Sequence, residues 1–222
     1  MNKRAFTLAE ILITLGIIGV VAAMTIPSLI TSYKAYRYRT QFLKSYSTLQ
    51  QIFKQMEADD VAMDGSSYSG RTFQKVIKPY LNNTTQCRTA KELQSPLCLS
   101  KDKEQYNNLP NTAKMIWSIF DDGQFILADG SQLFIENPTS AFQHVILLID
   151  LNGYINPPNR AGIDLFLFQL TDNEVVPMGS PNTNMAGTYY CNTNVNEWAS
   201  GTGCSLKAKD NPDYFKTALK LK

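Results

Sequence analysis

The chain has 222 residues, of which 44% are hydrophobic and 18% are charged. This composition excludes a disordered protein and leaves room for one globular domain plus an extended helix. With 21 basic and 19 acidic residues the formal net charge is +2, so the sequence lacks the basic excess of a nucleic-acid-binding protein and gives no evidence for a nucleic-acid partner.

An apolar segment near the N-terminus is the most distinctive feature of the chain. It follows two basic residues, Lys3 and Arg4, and runs from Phe6 to Pro27. As an α-helix rising about 1.5 Å per residue, it is long enough to cross a hydrocarbon core of about 30 Å. Because basic residues stay on the cytoplasmic side, the pair predicts a single span of the cytoplasmic membrane with its N-terminus inside.

Glu10 is unusual in such a segment, because a carboxylate in lipid costs about 3 kcal/mol. It is expected to be paired or functional, unless its side chain reaches the headgroups. A secretory signal peptide would end in a cleavage site of small residues. The sequence Ala22-Ala23-Met24 is a poor version of that site, and the helical pattern continues beyond Pro27. A plain transmembrane anchor would leave Glu10 unexplained.

The run Ala5-Phe6-Thr7-Leu8-Ala9-Glu10, the apolar helix after it and Pro27 resemble the N-terminus of type IV pilins and of type II secretion pseudopilins. In that family a prepilin peptidase in the membrane removes a short basic leader immediately before a Phe, and the new amine is methylated. The resemblance implies cleavage between Ala5 and Phe6 and methylation of Phe6. The family usually has Gly at the position of Ala5, and Ala is also small.

The resemblance also implies a function and partners. The chain would be a non-enzymatic subunit of a type IV pilus or a type II secretion-like filament, assembled with other pilin-like subunits by a membrane platform. Its globular domain would be extracytoplasmic, and the subunit would be extracted from the membrane into an extracytoplasmic filament. The alternative is a single-pass membrane-anchored binding module that does not polymerise and keeps residues 1–5.

Glu10 and Pro27 take assembly roles in this interpretation. Cleavage would give Phe6 a cationic amine, and opposite charges attract strongly in a medium of low dielectric constant. The amine of one subunit could therefore meet Glu10 of a neighbour and set the register. Pro27 removes one backbone hydrogen bond and is expected to kink or loosen the helix. Gly16 and Gly19 permit close approach of helices.

The helical pattern continues from residue 28 to about residue 58 with a single apolar face. The residues that form this stripe recur every three or four positions: Phe42, Tyr46, Leu49, Phe53 and Met56. The first half of the helix, 6–27, is expected to contact lipid or other subunits. The second half, 28–58, is expected to pack on its own domain. A run rich in Gly and Ser, from Asp64 to Gly70, is expected to end the helix region.

Residues 59–222 are predicted to form an extracytoplasmic α+β domain. A short helix is expected at 73–81, a hairpin at 124–136 around Asp129-Gly130, a strand at 144–149 and a second hairpin at 165–176 that turns at 171–173. These strands predict an antiparallel sheet of four or five strands, with one face against the helix stripe. The tail from residue 179 is expected to be loop-like. A long helix on such a sheet agrees with the pilin fold.

The four cysteines are expected to form disulfides. They lack a C-x-x-C spacing and the chain has one histidine, His144, so a zinc site is not expected. Disulfides form outside the cytoplasm. Of the three possible connectivities, proximity favours Cys87 with Cys98 and Cys191 with Cys204.

The most polar loop lies between residues 150 and 164. Its oxygen-bearing side chains at short spacing suit Ca²⁺: Asp150, Asn152, Asn159 and Asp164. The loop loosely resembles the calcium loop of major pseudopilins and is not an EF-hand. In the alternative interpretation these side chains bond backbone N–H groups in Asx-turns. A hydrolase would have to use His144, which lies at the start of an apolar strand and is expected to be structural.

Overall fold

The structure is a computed structural model that describes residues 7–62, 67–68, 72–87, 95–140, 142–171 and 174–221. The predicted cleavage site at Ala5 and Phe6 lies outside these residues. So do most of the Gly- and Ser-rich run and two residues of the 171–173 turn.

Helix α1 spans Leu8–Ala58 and continues through Pro27. Its first half is exposed along almost its whole length, whereas its second half buries one face. The residues that it buries are Ala35, Phe42, Ser45, Leu49, Ile52, Phe53 and Met56. Of the predicted stripe, four members are buried and Tyr46 is partly buried. The predicted change from an all-round apolar helix to a one-sided one is confirmed.

A single antiparallel sheet forms the centre of the domain, with its six described strands ordered as they occur in the chain. The strands are β1 (Thr85–Gln86), β2 (Gly123–Ile126), β3 (Gln132–Glu136), β4 (Ile146–Asp150), β5 (Leu165–Leu170) and β6 (Val175–Pro177). Both hairpins and the third strand are found where they were predicted, within about two residues. The α+β architecture is confirmed.

The prediction of four or five strands was too low, because β1 was missed. Thr85 and Gln86 pair with Ile126 and Phe125 at the edge of the sheet. Two residues are too few to show an alternating pattern. The next residue, Cys87, extends this pairing by donating its N–H to the Gln124 carbonyl.

Aromatic side chains join α1 to one face of the sheet. The ring of Phe42 meets Phe166 edge-on with centroids 4.8 Å apart, and it stacks on Phe168 at 5.8 Å. Tyr46 stacks on the same Phe168 at 5.5 Å. The predicted contact between the helix stripe and the sheet is confirmed.

The opposite face of the sheet carries a second core, which the sequence analysis did not predict. Phe134 of β3 and Leu148 and Leu167 of the next strands point into it, and Tyr106 and Phe120 pack on it from irregular segments. The strands β3, β4 and β5 are buried at every position. Continuous apolar runs such as Ile146–Ile149 are typical of strands covered on both faces.

Helix α2 (Phe73–Ile77) lies where the short helix was expected, and a 3₁₀ turn follows it.

The tail from residue 179 was predicted to be loop-like, but two short helices form in it. The unexpected helices are α3 (Ser205–Asp210) and α4 (Tyr214–Ala218). Phe215 of α4 is buried beside Phe42, so burial of a few apolar side chains stabilises helices that their short, charged sequences do not signal.

Two disulfides fix the irregular segments. One joins Cys87 to Cys98, and the other joins Cys191 to Cys204. This is the connectivity that proximity favoured. The second bond ties the 3₁₀ turn at Tyr189–Cys191 to the one at Thr202–Cys204, immediately before α3.

Candidate functional site

The first described turn of α1 is a capping box formed by Thr7 and Glu10. The backbone N–H and the hydroxyl of Thr7 both donate to Glu10 Oε2 at 2.8 Å. In return the N–H of Glu10 donates to Thr7 Oγ1 at 3.3 Å. The box satisfies N–H groups that a helix leaves unpaired at its start, and it folds the Glu10 carboxylate back toward the N-terminus.

This arrangement puts a negative charge at the positive end of the helix dipole, one turn from the position of residue 6. The sequence analysis identified Glu10 but missed Thr7. The signal was present, since Thr7-Leu8-Ala9-Glu10 before an apolar run has the T-x-x-E spacing of a capping box.

The other polar side chains of the apolar half are satisfied within the helix. Thr14 donates to the carbonyls of Glu10 and Ile11, each at 2.9 Å. Thr25 donates in the same way to the Val21 carbonyl, four residues before it, and Thr31, just beyond this half, donates to the Pro27 carbonyl. These hydroxyls therefore need no partner from outside. Glu10 is left as the ionisable side chain of this segment.

The apolar half of α1 has no partner within the described chain. Leu8 is 76% exposed, Leu15 61% and Met24 75%. By length and composition this is the one described helix able to cross a membrane. A row of large exposed apolar side chains of this length requires an apolar environment, which a lipid bilayer or a bundle of like helices would supply.

Gly16 and Gly19 lie on this exposed half. A Cβ atom added to either would meet nothing within 4 Å. Packing within the described chain therefore does not require glycine at these positions. Close approach by another helix would explain them.

The structure brings the four candidate calcium ligands into one loop between β4 and β5. Asp150 Oδ1 accepts from the N–H groups of Asn152 and Gly153, both at 3.0 Å, and Oδ2 accepts from the Tyr106 hydroxyl at 2.5 Å. Tyr106, on a distant segment, is a partner that the sequence did not indicate.

Asp164 is held in a similar way. Its Oδ2 accepts from the N–H of Asn159 at 2.8 Å, and its Oδ1 accepts from the N–H of Arg160 at 2.7 Å. Both carboxyls are fully buried. Burial raises the pKa of Asp150 and of Asp164, and for Asp164 the nearby charge of Asp150 adds to the increase in pKa.

In Asn152 and Asn159 the side-chain amino group forms hydrogen bonds within the described chain, whereas the side-chain oxygen does not. The amino group of Asn152 donates to the Asn156 carbonyl at 2.5 Å, and that of Asn159 donates to the Tyr154 carbonyl at 2.8 Å. Their side-chain oxygens are buried without a hydrogen-bond partner in the described chain. No group of three or more acidic, His or Cys side chains suited to a metal occurs among the described residues.

Both interpretations of the loop thus have support. The carboxylates bond backbone N–H groups as in Asx-turns, and the unpartnered amide oxygens are groups that Ca²⁺ accepts as ligands. Calcium binding stays a prediction.

His144 lies on a bend before β4. Its Nδ1 is buried and has no hydrogen-bond partner in the described chain. A catalytic histidine needs a group that fixes its orientation, and the described residues supply none to this nitrogen.

Comparison with known proteins gives one result that bears on the N-terminus. The family model for the prokaryotic N-terminal methylation motif matches residues 1–26. The same comparisons found no matching curated protein and no matching solved structure. The motif covers Ala5, Phe6 and Glu10, and the rest of the chain supplies the long helix, the antiparallel sheet and the two disulfides. The match gives the N-terminal segment the methylation motif of type IV pilin-like prepilins, and the rest of the described chain has an architecture that agrees with it.

Proposed function

We propose that the chain is the precursor of a filament subunit. Prepilin peptidase cuts it between Ala5 and Phe6, and the Phe6 amine is methylated. Until assembly, the apolar half of α1 holds the subunit in the cytoplasmic membrane with its N-terminus inside and its domain outside. A membrane assembly platform then extracts it, and the helices of successive pilin-like subunits pack together in the filament core.

The observation that carries this proposal is the unpartnered apolar half of α1 with a single carboxylate at its start. The hydrocarbon core of a bilayer would cover the apolar side chains but offers no charged partner to Glu10. A neighbouring subunit can cover the side chains and also bring an amine to Glu10. An unpaired charge in an apolar medium is costly, so the amine–carboxylate pair disfavours wrong registers.

The capping box is compatible with Glu10 both in the membrane-bound precursor and when paired with the amine of a neighbouring subunit. In the precursor the Thr7 N–H and hydroxyl satisfy one carboxylate oxygen, Oε2. The hydrogen bonds from Thr7 leave the other oxygen, Oε1, without a partner among the described residues, and this oxygen can accept from a cationic amine. Glu10 therefore does not have to stay ionised without a hydrogen-bond partner while the subunit waits in the membrane.

The first test is the intact mass of the N-terminus of the protein purified from its own membrane. We expect a chain that begins at methylated Phe6. A chain that still begins at Met1 would contradict the processing step and favour a membrane-anchored binding module.

The second test separates assembly from processing. Glu10→Ala is expected to insert and to be cleaved as the wild type is, but to be lost from sheared filaments. Glu57→Ala is the matched control, because Glu57 lies at the other end of α1 and its ion pair among the described residues is with exposed Lys54. Normal incorporation of Glu10→Ala would overturn the amine–carboxylate pairing.

A further inference from the structure

A cleft lies where α1 leaves its apolar segment and enters the domain. The helix contributes Ile30, Tyr33, Lys34 and Arg37 to one wall, and the loop after β4 contributes Asn152 and Pro157 to the other. The cleft has a volume of about 450 Å³. It is therefore a concave site beside the predicted membrane surface.

The position of the cleft along α1 determines its level relative to the membrane. From Leu8 to Ile30 the helix rises about 33 Å, which matches a hydrocarbon core of about 30 Å. Tyr33 and Lys34 therefore fall in the headgroup layer, and the long side chain of Arg37 reaches back to it. Tyrosine is the kind of side chain that collects at this level of a membrane.

The two basic side chains of the cleft are not used within the chain. Lys34 and Arg37 are exposed and make no ion pair or hydrogen bond with the described residues. Arg39, by contrast, donates to the carbonyls of Ala208 and Asn211. Lys34 and Arg37 are one turn apart, so both cations face the same cleft.

In the proposed orientation, the positive charges of Lys34 and Arg37 lie on the outer side of the membrane, where basic residues are less common. In the proposed orientation the leader carries Lys3 and Arg4 away, and no basic side chain remains between Phe6 and Tyr33. The first two basic side chains of the mature chain would then lie outside, opposite to the usual distribution. Membrane topology therefore does not account for Lys34 and Arg37.

We propose that this cleft binds the headgroup of an anionic phospholipid in the outer leaflet of the membrane. Lys34 and Arg37 contact the phosphate, and Ile30 and Tyr33 contact the glycerol and the start of the acyl chains. The proposal rests on the membrane orientation given under the proposed function. It adds that the subunit binds a specific class of lipid while it is held in the membrane before assembly.

The test is a titration of the full-length protein in detergent micelles with phosphatidylglycerol, followed by native mass spectrometry, with phosphatidylcholine as the uncharged comparison. The cleft variant is Lys34→Gln/Arg37→Gln. The control is Lys75→Gln/Lys78→Gln, which removes two exposed cations at α2 and the turn after it, at the other end of the helix contact. A basic residue at an anionic surface contributes about fivefold in affinity.

We expect the apparent Kd for phosphatidylglycerol to rise roughly tenfold or more in the cleft variant, and to stay unchanged in the control. Phosphatidylcholine should bind the three proteins equally, and inorganic phosphate at millimolar concentration should not displace the lipid. Equal binding of both lipids by the wild type, equal losses in both variants, or displacement by phosphate would each overturn the site.

The outcome can be separated from that of the proposed function. A chain that begins at Phe6 and enters filaments, but shows no preference for phosphatidylglycerol, would overturn the headgroup site alone. A cleft variant that binds this lipid normally and fails only in filament assembly would assign Lys34 and Arg37 to a neighbouring subunit, which also overturns the site. A chain that still begins at Met1 but loses the preference in the cleft variant would support the site without the filament role.

Discussion

The ring of Phe42, in the middle of α1, meets the ring of Phe166, in β5, edge-on at 4.8 Å. Phe42 also lies 6.1 Å from Phe215 of α4, so this side chain joins the long helix, the sheet and the tail in one core. The second half of α1 is therefore part of the domain, and the exposed first half is continuous with it through Pro27.

Phe42→Ala is expected to lower the free energy of unfolding of the domain by about 3–5 kcal/mol, because it leaves a cavity in a fully buried cluster. Tyr36→Ala, six residues away on the same helix, removes a ring from a residue that is 71% exposed. It is expected to change this free energy by less than about 0.5 kcal/mol. Urea unfolding of the full-length chain in micelles, followed by near-UV circular dichroism, compares the two. Equal midpoints would show that α1 does not share the core of the domain.

The glycines of the exposed half give a prediction about assembly alone. Gly16→Leu and Gly19→Leu should leave membrane insertion and domain stability unchanged, since both positions lie on the exposed half of α1 and an added Cβ atom meets nothing within 4 Å. If helices pack closely there in a filament, both variants should be depleted from sheared filaments, with Gly→Ala intermediate. Full incorporation of both leucine variants would place the helix contacts elsewhere.

The elements that were predicted correctly have strong local signals. Helix α1 follows from an apolar segment and a stripe that recurs every three or four residues, and β2 and β3 follow from two apolar runs around Asp129-Gly130. The missed elements lack such signals. Strand β1 has only two residues. Helix α4 is stabilised by the burial of Phe215, which contacts the distant residues Phe42 and Phe166.

The candidate site was predictable to a similar extent. Glu10 is evident as one carboxylate in an apolar run, and the T-x-x-E spacing would also have indicated Thr7. The headgroup cleft was not predictable, because its walls come from α1 and from a loop more than a hundred residues away. The Tyr106 hydroxyl reaches Asp150 only because the second core folds onto the sheet. Long-range contacts of this kind leave no spacing in the sequence.

The calcium interpretation of the 150–164 loop predicts an effect on stability. With Ca²⁺ at about one hundred times its Kd, the free energy of unfolding should rise by about 2.7 kcal/mol, and a chelator should reverse the rise. Asn159→Ala removes one unpartnered buried oxygen and should abolish most of the increase, whereas Asn82→Ala, at an exposed turn, should retain it. Identical thermal midpoints of the wild type with Ca²⁺ and with chelator would instead leave the Asx-turns as the account of this loop.

Glu136 gives the structure a pH dependence that is separate from this loop. Its side chain is 4% exposed at the end of β3 and lines a small cavity with the apolar side chains of Ile119, Ile146 and Leu167. Burial, with a smaller contribution from the charges of Asp122 and Asp121, raises the pKa of Glu136 to about 8 from its ordinary value of 4.5. The folded state therefore retains a proton that the unfolded chain releases at lower pH.

The stabilising contribution of this proton is complete below about pH 4.5 and is lost as the pH rises through about 8. Glu136→Gln keeps the shape and removes the ionisation. Between pH 5 and pH 9 the wild type should therefore lose about 1–3 kcal/mol more stability than the variant does. Subtracting the two urea-unfolding profiles cancels the titration of groups that they share, including Asp150 and Asp164. Glu57→Gln, at an exposed position on α1, should follow the wild type, and parallel profiles for the wild type and Glu136→Gln would show that Glu136 ionises normally in the folded protein.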